Sequence, residues 1–142
     1  MQALAEAVYR TEGRVDILHN NAGVVFAGPL EQTRLEDWRW VLDINLWGVI
    51  HGVRVFTPLL LSQAGTPGGE AHIVNTASVS GLICAPGMGL YNVTKHAVVA
   101  LTETLHHDLA RRNTRVKCSA SRGMSSSRSR SAGTCSSMTL MR

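Results

Sequence analysis

Tyr91 and Lys95 are the residues of this chain best placed to do chemistry. They stand four positions apart in Leu90-Tyr91-Asn92-Val93-Thr94-Lys95, inside a stretch with helical periodicity. On a helix that spacing puts two side chains one turn apart on the same face, so an ammonium comes close to a phenol. A free phenol titrates near about pH 10 and is a poor proton donor or acceptor at neutral pH. A positive charge nearby favours the phenolate and makes that proton easier to move. Upstream, the apolar run from Ala71 to Ala77 delivers Ser78 to its end, and a loop containing Gly81, Pro86, Gly87 and Gly89 leads on to Tyr91. A tuned tyrosine beside a serine hydroxyl suits the interconversion of a carbonyl and an alcohol. Taken alone the Tyr-x-x-x-Lys pair is weak evidence, because both residues are common and such a tyrosine is ordinarily a half-buried helix residue. Its company gives it weight.

Two further groups precede it. Val15 to His19 is a short apolar run that reads as a strand, and Asn20-Asn21-Ala22-Gly23 follows it. Asparagine and glycine allow a sharp turn and a close backbone approach to a ligand. In open parallel sheets ligands sit beyond the carboxyl ends of the strands, where such a turn lies. Asn45 falls inside a long helical pattern, in Asp43-Ile44-Asn45-Leu46. By themselves these read as a plain turn and a satisfied buried polar group with a local bend. In order, however, Asn20 to Gly23, Asn45, Ser78, Tyr91 and Lys95 resemble the short-chain dehydrogenase/reductase family, over about residues 1 to 117.

The resemblance implies an α/β chain: a partial Rossmann-like doubly wound parallel sheet, from roughly the fourth strand to the sixth helix region. It implies Asn45, Ser78, Tyr91 and Lys95 as catalytic residues. Asn20, Ala22 and Gly23, with Tyr91 and Lys95, would hold NAD or NADP, and Asn20 would also brace the strands. Tyr91 would exchange the proton, Ser78 would orient the substrate oxygen, and Asn45 would hold a water relaying protons toward Lys95. A small alcohol or carbonyl compound is the implied substrate. The apolar loop residues Leu82, Ile83, Cys84 and Met88 are compatible with a hydrophobic one. The two long helices would pack against a neighbouring subunit, in a homodimer or homotetramer.

Two departures from the family pattern shape the expectations. No Gly-x-x-x-Gly-x-Gly turn precedes Asn20, although such a turn at a helix N-terminus is what holds a pyrophosphate. The chain therefore reads as truncated at its start, with the strand Val15 to His19 left as an open edge. At the other end, residues 118 to 142 contain 9 serines and 4 arginines and read as a disordered tail without strands. That gives a partial Rossmann-type domain over 1 to 117 and a Ser/Arg-rich segment over 118 to 142. The departure leads to the expectation of a frameshift: with codons chosen for it, Lys117 to Met124 gives Val-Leu-Gly-Val-Pro-Gly-His in another frame. The competing reading of the whole is a non-catalytic fragment of the same fold, lacking the phosphate-binding turn.

Composition narrows the classes further. The 142 residues suffice for one domain. The formal charge of +4 is unevenly spread: residues 1 to 116 hold 9 Lys/Arg and 10 Asp/Glu, and the remainder holds 5 Lys/Arg and no acids. The basic tail lacks interleaved aromatics, so nucleic-acid binding is not expected. Cys84, Cys118 and Cys135 form no motif, and the start lacks a signal-peptide pattern, which predicts reduced thiols in a cytoplasmic protein. The histidines form no metal-ligand pattern, so no metal is expected. Trp40 to Leu61 is apolar but broken by Asp43, Asn45, His51 and Arg54, and reads as a buried helix rather than a membrane span. Residues 2 to 11 and about 90 to 112 read as further helices, and Thr33 with Glu36 as a capping box opening the long one.

Overall fold

The computed structural model describes residues 1–121 and 138–141. Four helices and four strands follow one another as α1 (Gln2–Glu12), β1 (Ile17–Asn20), α2 (Leu35–Leu42), α3 (Gly48–Ala64), β2 (Ala71–Thr76), α4 (Gly89–Arg111), β3 (Val116–Ser121) and β4 (Met138–Met141). The sheet order is β3-β2-β1-β4. β1, β2 and β3 are parallel, with Leu18 opposite Ile73 and Ile73 opposite Cys118. This is the α/β, Rossmann-like architecture expected.

The sheet positions the site through its alternation. Leu18, Ile73, Val116 and Cys118 share one face and pack with Ala5 of α1, Phe56 and Leu60 of α3 and Leu109 of α4. Leu18, Phe56, Leu60 and Ile73 are fully buried, each contributing about 1.5–3 kcal/mol of apolar burial. The strands thus lie under the helices with their carboxyl ends aligned, and the loops after β1 and β2 leave from the same end. α1 stops where Gly13 takes φ 73°, with its N–H bonded to the Tyr9 carbonyl, a left-handed cap that favours glycine.

Several expectations are corrected. β1 is not an open edge: β4 pairs antiparallel along it, with Ile17 opposite Met141 and Asn20 opposite Met138. Strand structure also continues past Lys117, since β3 reaches Ser121. Its six residues pair with β2 throughout, so the neighbouring strand supplies what the weakly apolar sequence lacks. The expected disorder and the basic arginines fall mostly at residues 122–137 and 142, outside the described residues. Thr33 does not cap a helix. Its hydroxyl donates to the Pro29 carbonyl at 3.0 Å, and α2 begins after Arg34 with no side-chain cap. Leu35–Ala64 is long and apolar enough to cross a membrane by length and composition. Val41, Val49, Phe56 and Leu60 within it are buried in the protein, and 28% of its most apolar window is buried in all.

Candidate active site

The site is assembled at the carboxyl ends of β1 and β2. Asn20 closes β1 with a carboxamide whose Nδ2 donates to Asn75 Oδ1 at 2.8 Å. Asn75 Nδ2 donates to Thr102 Oγ1 at 3.0 Å, and that hydroxyl donates to the Val98 carbonyl at 2.6 Å. A hydroxyl has one proton to give. Thr102 gives it to its own helix, so it can only accept from Asn75, and both amides are thereby oriented. Asn20 braces β1 against β2 and α4, as expected. Beside it, Thr76 Oγ1 donates to Asn21 Oδ1 at 2.8 Å, and His19 Nε2 lies 2.9 Å from the same hydroxyl. His19 must therefore donate through Nε2.

After the turn, Val24 is clamped by Asn45. The helical chain from α2 to α3 widens into a π-helical turn at Asp43–Trp47, a feature that often marks functional sites. Asn45 is fully buried. Its Oδ1 accepts from Val24 N at 2.7 Å, and its Nδ2 donates to the Val24 carbonyl at 2.9 Å and to Thr94 Oγ1 at 3.1 Å. The side chain behaves like one residue of a neighbouring strand. Thr94 Oγ1 donates in turn to the Tyr91 carbonyl at 2.8 Å, which ties the clamp to the first turns of α4.

Lys95 reaches inward from α4. It is 1% exposed, and its Nζ donates to the Thr76 carbonyl at 2.8 Å. Nζ also lies 5.6 Å from the centroid of the Tyr91 ring, within cation–π range. Burial without a carboxylate partner lowers the ammonium from its ordinary 10.5 to about 8. A Cβ at Gly23 would stand 3.5 Å from Nζ and 3.6 Å from Asn45 Oδ1, so the turn backbone, the amide and the ammonium converge.

Ser78 follows β2 in extended conformation and accepts from Ser80 N at 3.2 Å through its Oγ. The short turn it begins packs against α4 so tightly that a Cβ at Gly81 would come within 2.8 Å of the Lys95 carbonyl oxygen. Ser78 is therefore held on the helix that carries Tyr91 and Lys95, although among the described residues no hydrogen bond joins Ser78 to Tyr91. Asn20 and Ala22 line a separate small cavity of about 70 Å³ reached by Met1. A larger cavity of about 780 Å³ opens between the Gly28–Glu31 and Cys84–Gly87 loops and the Asn92 and His96 side of α4. Of the four apolar loop residues singled out in the sequence, only Cys84 lines it.

Asn75, Thr76, Thr94 and Thr102 are the residues that the motif reading missed. A signal existed for Asn75 and Thr76: they are polar residues in an otherwise apolar strand, which folded chains bury only when they are hydrogen-bonded. Thr94 and Thr102 carry no comparable mark.

The sequence and fold that carry these residues match those of known proteins. Residues 1–134 match the family model described as short chain dehydrogenase. The chain belongs to the short chain dehydrogenase family. A short-chain dehydrogenase/reductase from Burkholderia phymatum, solved in complex with NAD, is similar with 53% identity and a TM-score of 0.79, covering 84% of this chain and 41% of that one. A 3-ketoacyl-(acyl-carrier-protein) reductase from Brucella melitensis, solved with NADH, shows 31% identity and a TM-score of 0.77, over 83% of this chain and 48% of that one. The 3-oxoacyl-[acyl-carrier-protein] reductase of Thermotoga maritima is 34% identical over 120 residues, 84% of this chain and 47% of that protein. The chain thus spans less than half the length of these relatives.

Proposed function

We propose that this chain carries the proton-transfer site of an oxidoreductase that uses NAD or NADP to interconvert an alcohol and a ketone. The observation that carries the reading is the buried Lys95 ammonium beside the Tyr91 ring, whose one hydrogen bond among the described residues goes to a carbonyl. An ammonium has three protons to donate, so hydroxyls of a bound ribose would fit it. Gly23, having no side chain, brings the turn backbone close to that ammonium. When bound, the nicotinamide supplies or accepts the hydride.

The chain's own residues do the rest. Tyr91 passes its phenolic proton to the substrate oxygen during reduction and takes it back during oxidation. Lys95 places positive charge beside that phenol. Ser78, whose Oγ already accepts from Ser80 N, has its own proton free to donate to the substrate oxygen and to stabilise charge developing there. Asn45 fixes the turn against α4; both of its Nδ2 protons are committed to Val24 and Thr94, so a relaying water would contact its Oδ1 or backbone. The substrate would be a small alcohol or ketone, and Cys84, Ala85 and Pro86 give the larger cavity an apolar wall for it. A second copy of the chain would cover apolar residues such as Trp47 and Val93, each 49% exposed.

The test is carbonyl-dependent oxidation of NADPH or NADH by the chain and by Tyr91→Phe. Turnover should fall at least about a thousandfold while nucleotide binding, followed by fluorescence, persists. Equal turnover in the variant rejects the assignment. The alternative, a non-catalytic fragment of the same fold, is favoured by one observation: the sequence contains no Gly-x-x-x-Gly-x-Gly turn. A folded chain that binds neither nucleotide would establish that alternative.

A further inference from the structure

We propose that Gly52 is the positioning residue of the Asn20 turn, acting through the space it leaves for the Asn20 carboxamide. Gly52 is buried in the interior of α3, where glycine is ordinarily a liability and replacement by alanine ordinarily stabilises. Here a Cβ would lie 2.1 Å from Asn20 Oδ1, 2.9 Å from its Cγ and 3.0 Å from its Nδ2. These are not distances that two groups can share.

Asn20 cannot simply turn away. The Thr102 hydroxyl gives its proton to the Val98 carbonyl and so orients Asn75, which in turn fixes which end of the Asn20 amide faces it. Oδ1 is left pointing at α3, buried and without a hydrogen-bond donor among the described residues. What it meets is the Cα–H of Gly52, a weak donor that glycine can present without obstruction. The sheet, two helices and the start of the turn are joined through one amide, and the helix side of that joint must be a glycine. Displacing the amide would break its bond to Asn75 and shift the turn that brings Gly23 toward Lys95. The expected effect on nucleotide binding rests on the proposed function; the coupling of Gly52 to Asn20 does not.

The experiment compares Gly52→Ala, Asn20→Ala and the double variant in the full chain, reading thermal midpoints and the side-chain amide resonances of Asn20 and Asn75. Gly52→Ala should lower the midpoint by about 5 °C or more, opposite in sign to the usual helix effect, and should move both amide signals. The double variant should melt no lower than Asn20→Ala, because the clash has gone. If Gly52→Ala does not fold, recovery in the double variant to the level of Asn20→Ala supports the proposal. An unchanged or raised midpoint with wild-type amide signals would overturn it. So would a Gly52→Ala penalty that persists in full when Asn20 is alanine. NADH fluorescence titration adds a separate reading: it should weaken at least tenfold in Gly52→Ala. A wild-type chain that binds no NADH counts against the proposed function alone, since the thermal and amide coupling is measured without nucleotide.

Discussion

The two ends of the β1–β2 pair are built on different principles. Leu18 and Ile73 face the helices amid Phe56 and Leu60. Two residues further along the same face, Asn20 and Asn75 stand in the same relation to α3 and α4, yet they meet Gly52 and Thr102 through oriented polar groups. The first end is held by area removed from water, which has no direction and tolerates repacking. The second is held by a chain of single-proton choices beginning at one helix carbonyl. Apolar packing makes the sheet stable; the amide chain makes its outgoing loops start at defined places.

The contrast can be broken first at the apolar end. Phe56→Ala removes a fully buried ring and should cost about 3–5 kcal/mol in denaturant unfolding. Any surviving folded protein should keep the Asn20 and Asn75 amide signals of the wild type.

The buried ammonium offers the next largest effect. Folding lowers Lys95 from 10.5 to about 8, so the folded state resists protonation. Between those values the unfolded chain binds the extra proton, and stability rises with pH by roughly 3 kcal/mol. Cys118 works in the opposite sense: burial pushes its thiol from 9.0 up to about 11, so its contribution is lost as pH rises through that window. The clean measurement is therefore the difference between wild type and Lys95→Met in urea unfolding. That difference should favour the variant near neutral pH and narrow as the solution becomes alkaline. A difference independent of pH would mean that the ammonium is not penalised.

The smallest of the three concerns the polar end. Asn75→Leu preserves bulk but leaves Asn20 Nδ2 without its acceptor, at a cost of about 1–3 kcal/mol. It should weaken nucleotide binding more than Phe56→Leu does at equal loss of stability. The reverse ranking would erase the distinction between the two ends.

Much of this was readable from the residues. Alternation and helical spacing locate β1, β2 and the helices, because those periods directly reflect which side chains must be buried. Asn20 to Gly23, Asn45, Ser78, Tyr91 and Lys95 were singled out by their resemblance to the family's motif order, and the fold places them on elements that meet at one end of the sheet. The rest depended on partners distant in sequence. Asn75 pairs with Thr102 across 27 positions, and nothing local to either predicts the match. The helix cap assigned to Thr33 failed because its hydroxyl found the Pro29 carbonyl first, a competition that residue type does not decide. β3 was under-read because Lys117-Cys118-Ser119-Ala120-Ser121 has little strand character of its own; its pairing with β2 imposes it.

The placement of β4 has a consequence for how the chain exchanges with its solvent. With ladder partners on both flanks, the amides from Leu18 to Asn20 should take up deuterium more slowly than those of β3, whose ladder partner among the described residues is β2 alone. Mass spectrometry of peptides from these two strands would show the difference between a flanked strand and an edge strand.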